Sequence, residues 1–266
     1  PEFLIEETNQ SLADTKVWLD TSAQFGPLVK PIITPRFVPS CTSELMTGLA
    51  KLAKEYDVPV QSHLSENHGE INWVASLHPE SPNYTDVYYE HHLMGTVPTV
   101  MAHCIHLSDV EMDRMAETQT MVSHCPYSNV NLSSGIAPIR KLIERNIPIG
   151  LGSDISGGHI VSMAKVLTEA IGLSKMKWAE VDPNYAPLTL SEAFYMATKG
   201  GGQFFGHVGS FEKGYELDAL IIDDTSLFDP NERSLEERLE RWLYVGDDRH
   251  IIERYVAGRV VPSPKG

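Results

Sequence analysis

Val58-Pro59-Val60-Gln61-Ser62-His63-Leu64-Ser65-Glu66 runs from a short apolar segment straight into ionisable side chains. Four other stretches have the same form: Pro31-Ile32-Ile33-Thr34-Pro35-Arg36-Phe37, Thr99-Val100-Met101-Ala102-His103, Thr120-Met121-Val122-Ser123-His124, and Ile147-Pro148-Ile149-Gly150-Leu151-Gly152-Ser153-Asp154. Short apolar runs bounded by turn residues read as buried strands. Helical patterns lie between them. Leu45, Leu49, Leu52, Ala53 and Tyr56 fall on one helix face, Ser108 with Glu111 has capping-box spacing, and residues 135–145 read as a further helix. A leading helix is expected at about residues 4–23, another at about 162–173, and one opening near Thr189 with Glu192 as its capping partner. Strands alternating with helices make parallel βα units.

The last part of the chain differs. Residues 208–223 and 254–261 read as short strands with Gly turns, so the expected division is a barrel-type portion over 1–206 and part of a small β domain over 207–266. Five βα units do not close a barrel, which takes eight. The chain is then either an open doubly wound sheet or the later part of a (β/α)8 barrel. No Gly-rich phosphate fingerprint follows any of the strands, which weakens the first option.

Composition narrows the class of function. The 266 residues carry 21 Lys+Arg against 36 Asp+Glu, a formal net charge of −15, which disfavours nucleic acid as a partner. A 42% hydrophobic and 21% charged content is that of a folded globular chain. No apolar run approaches the roughly 20 residues of a membrane span. No basic and apolar leader opens the sequence, and Cys41, Cys104 and Cys125 are too few for a disulfide framework, so a reducing cytoplasm is expected. The first residue is Pro rather than Met.

Chemistry in parallel α/β folds gathers at the carboxyl ends of the strands. Those ends carry Arg36, His63, His103, His124 and Asp154 in turn. Three histidines and an aspartate converging on one volume are costly without compensation, and a bound metal is the usual resolution. Donors of this type point to zinc, with iron or manganese as alternatives. Strand alternation puts His63 on the inner face with Gln61, and by the same count His103 inside and Cys104 outside. A Cys/His nucleophilic pair is therefore disfavoured at both His103-Cys104 and His124-Cys125. Glu66, three residues past His63, is suited to moving a proton between a metal-activated water and a substrate nitrogen. Asp154 follows two glycines of its own parity, Gly150 and Gly152, which leave room beneath a ligand or mark close packing.

Taken together, Thr34-Pro35-Arg36-Phe37, Gln61-Ser62-His63-Leu64-Ser65-Glu66-Asn67, Met101-Ala102-His103, His124-Cys125-Pro126-Tyr127-Ser128-Asn129, Gly150-Leu151-Gly152-Ser153-Asp154 and Tyr244-Val245-Gly246-Asp247-Asp248-Arg249 resemble the amidohydrolase superfamily. Within it they are most similar to the guanine deaminase family, over essentially the whole chain. That resemblance implies a (β/α)8 TIM-type barrel, of which about the last five βα units are present, plus part of a small β-sandwich. The family's first strand carries a His-x-His pair; none of the eleven histidines here stands in that spacing, so the match begins around the fourth strand.

The resemblance also implies a reaction, the hydrolytic deamination of guanine to xanthine and ammonia by a zinc-activated hydroxide. His63 and Asp154 would be metal ligands that also meet the substrate, and Asp154 would orient the hydroxide. Glu66 would bind the base and protonate N3, and His103 would hydrogen-bond the hydroxide or the intermediate. Arg36 would face O6 and N7, a pair of acceptors that suits a guanidinium fork, with Phe37 stacked on the purine. A homodimer is implied as well. The residues leave His124 without a role beyond a supporting hydrogen bond, and His91, His92, His106 and His159 read as loop or surface residues. Two other readings stand beside this one: a hydrolase of another aminated or halogenated heterocycle, such as another purine or a triazine, and a barrel scaffold without catalysis.

Overall fold

A computed structural model describes residues 3 and 5–262. In chain order the elements are α1 (Thr8–Ser22), α2 (Ser43–Tyr56), β1 (Val60–Leu64), α3 (His68–Leu77), α4 (Tyr84–Glu90), β2 (Thr99–His103), α5 (Asp109–Glu117), β3 (Met121–His124), α6 (Pro126–Asn131), α7 (Ile139–Glu144), β4 (Ile149–Leu151), α8 (Met163–Glu180), α9 (Leu190–Tyr195), β5 (Ala219–Ile222), α10 (Leu235–Val245), β6 (Ile251–Val256) and β7 (Arg259–Val260). The chain forms two units, one running to Ser123 and including Lys141–Pro148, the other comprising His124–Arg140 and the chain from Ile149 onward.

In the first unit β1, β2 and β3 are parallel, with Val60 opposite Thr99, Leu64 opposite His103, and Val100 opposite Met121. This is the α/β arrangement with a parallel sheet that the sequence pattern predicts. The expected strand over 31–37 reduces to one parallel bridge between Ile33 and Val60. Its pairing consists of Ile33 N–H to Pro59 O and Gln61 N–H to Ile33 O, both 2.9 Å. Pro31 and Pro35 have no N–H to donate, so the ladder cannot extend past Ile33. Arg36 therefore lies in a loop and not at the end of a regular strand.

Apolar residues in period two place Val60, Ser62 and Leu64 in the buried layer while Gln61 and His63 stay half-buried. Leu64, Met101, Met112, Met115 and Tyr88 form part of a core excluded from water. Each fully buried Leu or Met contributes about 1.5–3 kcal/mol through removal of apolar surface. The face of α2 turned inward is Met46, Leu49, Ala50 and Ala53, rotated from the one read in the sequence. Leu45, Leu52 and Tyr56 are half-buried, on a helix that packs against α1, where the Leu12 side chain abuts Gly48 and Tyr56 donates to Asp20. The leading helix begins at Thr8, and Leu4, the start of the expected helix, lies outside the described residues. The capping box of Ser108 and Glu111 is formed in both directions and opens α5.

In the second unit, α8 runs to Glu180 rather than stopping near 173, burying Val166, Leu167, Ala170 and Ile171 along one side. Thr189 and Glu192 form the predicted capping box of α9. Residues 196–200 continue as one π-type turn, and a side chain at Gly201 would approach the Cα of Gly150 at 3.7 Å. The tail holds an antiparallel sheet in the order β5-β6-β7. The strand expected over 208–223 shrinks to Ala219–Ile222, because Gly209 and Gly214 turn the chain at φ +81° and +95°. Helix α10, capped by Ser234 and Glu237, was not anticipated from the sequence. No helix among the described residues is long and apolar enough to cross a membrane.

Candidate active site

Three of the predicted side chains meet at the ends of β1 and β2 in the first unit. The rings of His63 and His103 stack at 5.4 Å between centroids with 22° between planes. Glu66 Oε2 lies 3.8 Å from His103 Nε2, an electrostatic separation longer than a hydrogen bond. His103 is almost fully buried, whereas the Glu66 side chain keeps 17% exposure. The cluster therefore sits where a solvent-borne substrate can reach the carboxylate but not the back of the second imidazole.

Strand alternation accounts for His63 but not for His103. Register sets His63 opposite Ala102 and Leu64 opposite His103, so regular pleating would turn His103 to the side of Leu64. Instead His103 has φ +70° and Cys104 φ +52°. The Cys104 N–H reaches Ala102 O at 3.0 Å, a γ-turn centred on His103, and Leu64 O at 3.0 Å. A left-handed backbone at two successive non-glycine residues is costly and concentrates at functional positions. Here the expected inward orientation of His103 results from that turn, not from the parity of the strand. Cys104 is wholly buried, as expected of a packed thiol.

Backbone hydrogen bonds tie the site together. His63 Nδ1 lies 2.5 Å from the carbonyl oxygen of Arg36. A carbonyl only accepts, so the proton is on Nδ1, and the Nε2 of a neutral His63 carries the lone pair a metal requires. The Arg36 side chain is exposed, its guanidinium carbon 5.7 Å from the centroid of the Phe37 ring. Phe37 in turn meets Trp73 edge-on at 6.2 Å.

Behind β1 lies a buried polar network that the sequence reading passed over. Tyr88 donates to His63 O at 2.9 Å and lies 2.7 Å from Ser62 Oγ, which also reaches Pro35 O at 2.7 Å. Tyr84 donates to Glu70 Oε1 at 2.7 Å, and Glu70 Oε2 accepts from the Glu66 N–H at 2.9 Å. Burial raises the pKa of both tyrosines, so they remain donors across the working pH range. The available signal was Asn67, whose side chain caps α3 by accepting from Glu70 N–H at 2.9 Å. Asn followed three residues later by Glu marks a helix start.

In the second unit Asp154 follows β4 at φ +45°, so its direction too is set by a turn and not by the parity of Gly150 and Gly152. Gly152 N–H bonds His124 O at 2.9 Å, which fixes the β4 end against the end of β3. The Asp154 carboxylate borders Gly157, where a Cβ would come within 2.5 Å of Oδ2 and 2.7 Å of Ser128 Oγ. A side chain at 157 would have to displace the Asp154 carboxylate and the Ser128 hydroxyl. Asp154 O also accepts from Gly158 N–H at 2.6 Å, and Asn131 holds Gly157 O at 2.7 Å, making the 154–158 turn rigid. His124 is buried. Three of the histidines read as loop or surface residues have ring partners: His106 lies 4.0 Å from His68, His91 5.8 Å from His78 and His159 5.0 Å from Tyr127.

Among the described residues no group of three or more His, Cys, Asp or Glu is arranged to hold a metal ion. His63 nevertheless fits the role of a single ligand, since its ring orientation and tautomer are fixed by Arg36 O. Asp154 supplies a carboxylate of the right chemistry. Two such donors are fewer than the three protein ligands of a catalytic zinc site.

A model of the amidohydrolase family matches residues 8–261, and the chain belongs to that family. It is similar to the guanine deaminase of Dictyostelium discoideum, 44% identical over 98% of this chain and 59% of the relative. The crystal structure of guanine deaminase from C. acetobutylicum with bound guanine in the active site matches with a TM-score of 0.95 at 52% identity, covering 98% of this chain and 62% of that one. An adenosine deaminase from Xanthomonas campestris with bound zinc matches with a TM-score of 0.82 at 21% identity, over 95% of this chain and 56% of that one, a likeness of fold alone. The chain thus spans about three-fifths of the length of these two guanine deaminases.

Proposed function

We propose that the protein of which this chain forms part hydrolyses guanine to xanthine and ammonia. The observation that carries this reading is the grouping of His63, His103 and Glu66, with ring centroids 5.4 Å apart and the carboxylate 3.8 Å from His103. High similarity to guanine deaminases, one with guanine bound, supports that substrate over other heterocycles.

In this reading His63 and Asp154 would hold zinc, with iron or manganese as alternatives, and the remaining ligands would come from elsewhere in the whole protein. When bound, the metal supplies a water whose pKa is lowered towards about 7. Asp154 accepts a hydrogen bond from that water and aims it at C2 of the base. Glu66 would take one proton of that water and deliver it to N3 as the C2–O bond forms, and the second water proton would pass from the new C2 hydroxyl by way of Asp154 and Glu66 to the departing amine. The C2–N bond then breaks with release of ammonia. His103 donates a hydrogen bond to the oxygen arriving at C2. Arg36 faces O6 and N7, and Phe37 flanks the ring.

The same reading places the chain in an eight-unit barrel, with about the last five βα units here. It keeps the division at 1–206 and 207–266, with β5, β6 and β7 contributing to a small β-sandwich. It also carries a homodimer in the cytoplasm with a small purine as partner. A substrate panel tests it: guanine should yield equimolar ammonia and xanthine, while adenine and an aminotriazine should not react. Preferential turnover of either competitor would replace guanine as the substrate.

A further inference from the structure

Glu70 is a carboxylate at 6% exposure, and among the described residues no Lys, Arg or His forms an ion pair with it. Burying a carboxylate on neutral donors alone costs stability. Packing therefore gives no reason for a charged residue at this position. Its geometry does. One oxygen accepts from the Glu66 backbone N–H at 2.9 Å and the other from the Tyr84 hydroxyl at 2.7 Å. Tyr84 also approaches His63 O at 3.4 Å, beside the 2.9 Å bond from Tyr88. Between these anchors the chain passes Ser65 at φ +49°, a conformation that needs external support in a non-glycine residue.

We propose that Glu70 is a positioning residue for the deamination, holding the peptide of Glu66 through one carboxylate oxygen and, with the other, the Tyr84 hydroxyl that stands beside His63 O at the end of β1. This rests on the assignment of Glu66 as the proton-transfer group. Glu66 Oε2 stands 3.8 Å from His103 Nε2, and the backbone of Glu66 is a fixed point from which that side chain meets a substrate nitrogen. Glu70 supplies that fixed point.

The test uses the zinc-loaded full-length protein. Glu70→Leu, close in size but without acceptors, should lower kcat for guanine about 10- to 100-fold, the usual cost of losing a partner that orients a site ligand. KM should stay within about twofold. Placed in a Glu66→Gln background, Glu70→Leu should cause little further loss, because residues acting through one another are not additive. Glu70→Gln should retain most activity, since its amide oxygen can still accept from Glu66 and the Tyr84 hydroxyl can turn towards His63 O. An NMR measurement independent of turnover completes the set. The Glu66 amide proton should resonate downfield in the wild-type protein, move far upfield in Glu70→Leu and by a smaller step in Glu70→Gln, whose neutral oxygen accepts more weakly, so that the Gln variant decides the matter if the Leu variant does not fold. An unmoved resonance overturns the proposal, as does a multiplicative loss in the double variant. If the wild-type protein releases no ammonia from guanine, the substrate assignment fails, and the amide resonance still decides the role of Glu70.

Discussion

His63 Nδ1 donates to the backbone carbonyl of Arg36 at 2.5 Å, coupling the candidate metal ligand to the loop that carries the candidate guanine-binding side chain. That hydrogen bond fixes the tautomer of the imidazole and, together with the Ser62 hydroxyl on Pro35 O at 2.7 Å, holds the 34–37 loop.

Glu66 is the group assigned to proton transfer. Replacing it with Gln keeps the shape and removes the proton. The expected loss is about 10²- to 10⁴-fold in kcat, the usual contribution of general acid–base catalysis, with KM for guanine little changed. Steady-state kinetics decides it, and a kcat within threefold of wild type would remove Glu66 from the mechanism.

Arg36 is exposed and leans over Phe37 at 5.7 Å, free to meet a ligand. Arg36→Ala should raise KM for guanine and reduce kcat/KM by roughly 1.5–3 kcal/mol, typical of a lost hydrogen bond to a charged group. The backbone carbonyl that holds His63 survives the change. Unaltered kcat/KM would sink the assignment of this residue to O6 and N7.

Tyr88 is wholly buried and is the nearer of two hydroxyl donors to His63 O. Tyr88→Phe leaves that carbonyl with only the longer approach of Tyr84 at 3.4 Å and removes one partner of Ser62, which keeps Pro35 O. A loss of about 1–3 kcal/mol in unfolding free energy is expected, from the cost of an unpaired buried group. Urea denaturation measures it, and equal midpoints for the two proteins would mean that the hydroxyl is not needed there.

Acid stability provides a separate check in the second unit. Arg140 makes paired hydrogen bonds to Glu192 at 2.7 and 3.0 Å and holds its pKa down at about 2, against an ordinary value near 4.5. Because the folded-state pKa is the lower one, the stabilisation is complete above about pH 4.5 and is lost as pH falls from there towards 2. Arg140→Gln should flatten the stability curve across that window and leave its shape above pH 5 unchanged. Parallel curves for the two proteins down to pH 2 would contradict it.

The parallel βα pattern was legible because apolar runs of strand length alternate with capped helices, and both predicted capping boxes are formed. His63 was legible for the same reason, since alternation along β1 is regular. His103 and Asp154 were found by residue type, yet their directions come from left-handed backbone that no periodicity encodes. The strand over 31–37 failed because proline removes donors without disturbing apolar pattern. Glu70 and the two tyrosines escaped notice because a buried polar network looks, in sequence, like an ordinary helix start and two core aromatics. Helix α10 was missed although Ser234 and Glu237 carry the same capping signal as the helices that were found.

Ammonia release from guanine by the full-length protein, with zinc bound and after treatment with a chelator, tests the central claim most directly. The account predicts ammonia and xanthine in equal amounts, loss of both on chelation and recovery when zinc is restored, with His63→Ala retaining well under one zinc per chain. Zinc-loaded protein that releases no ammonia from guanine would contradict it.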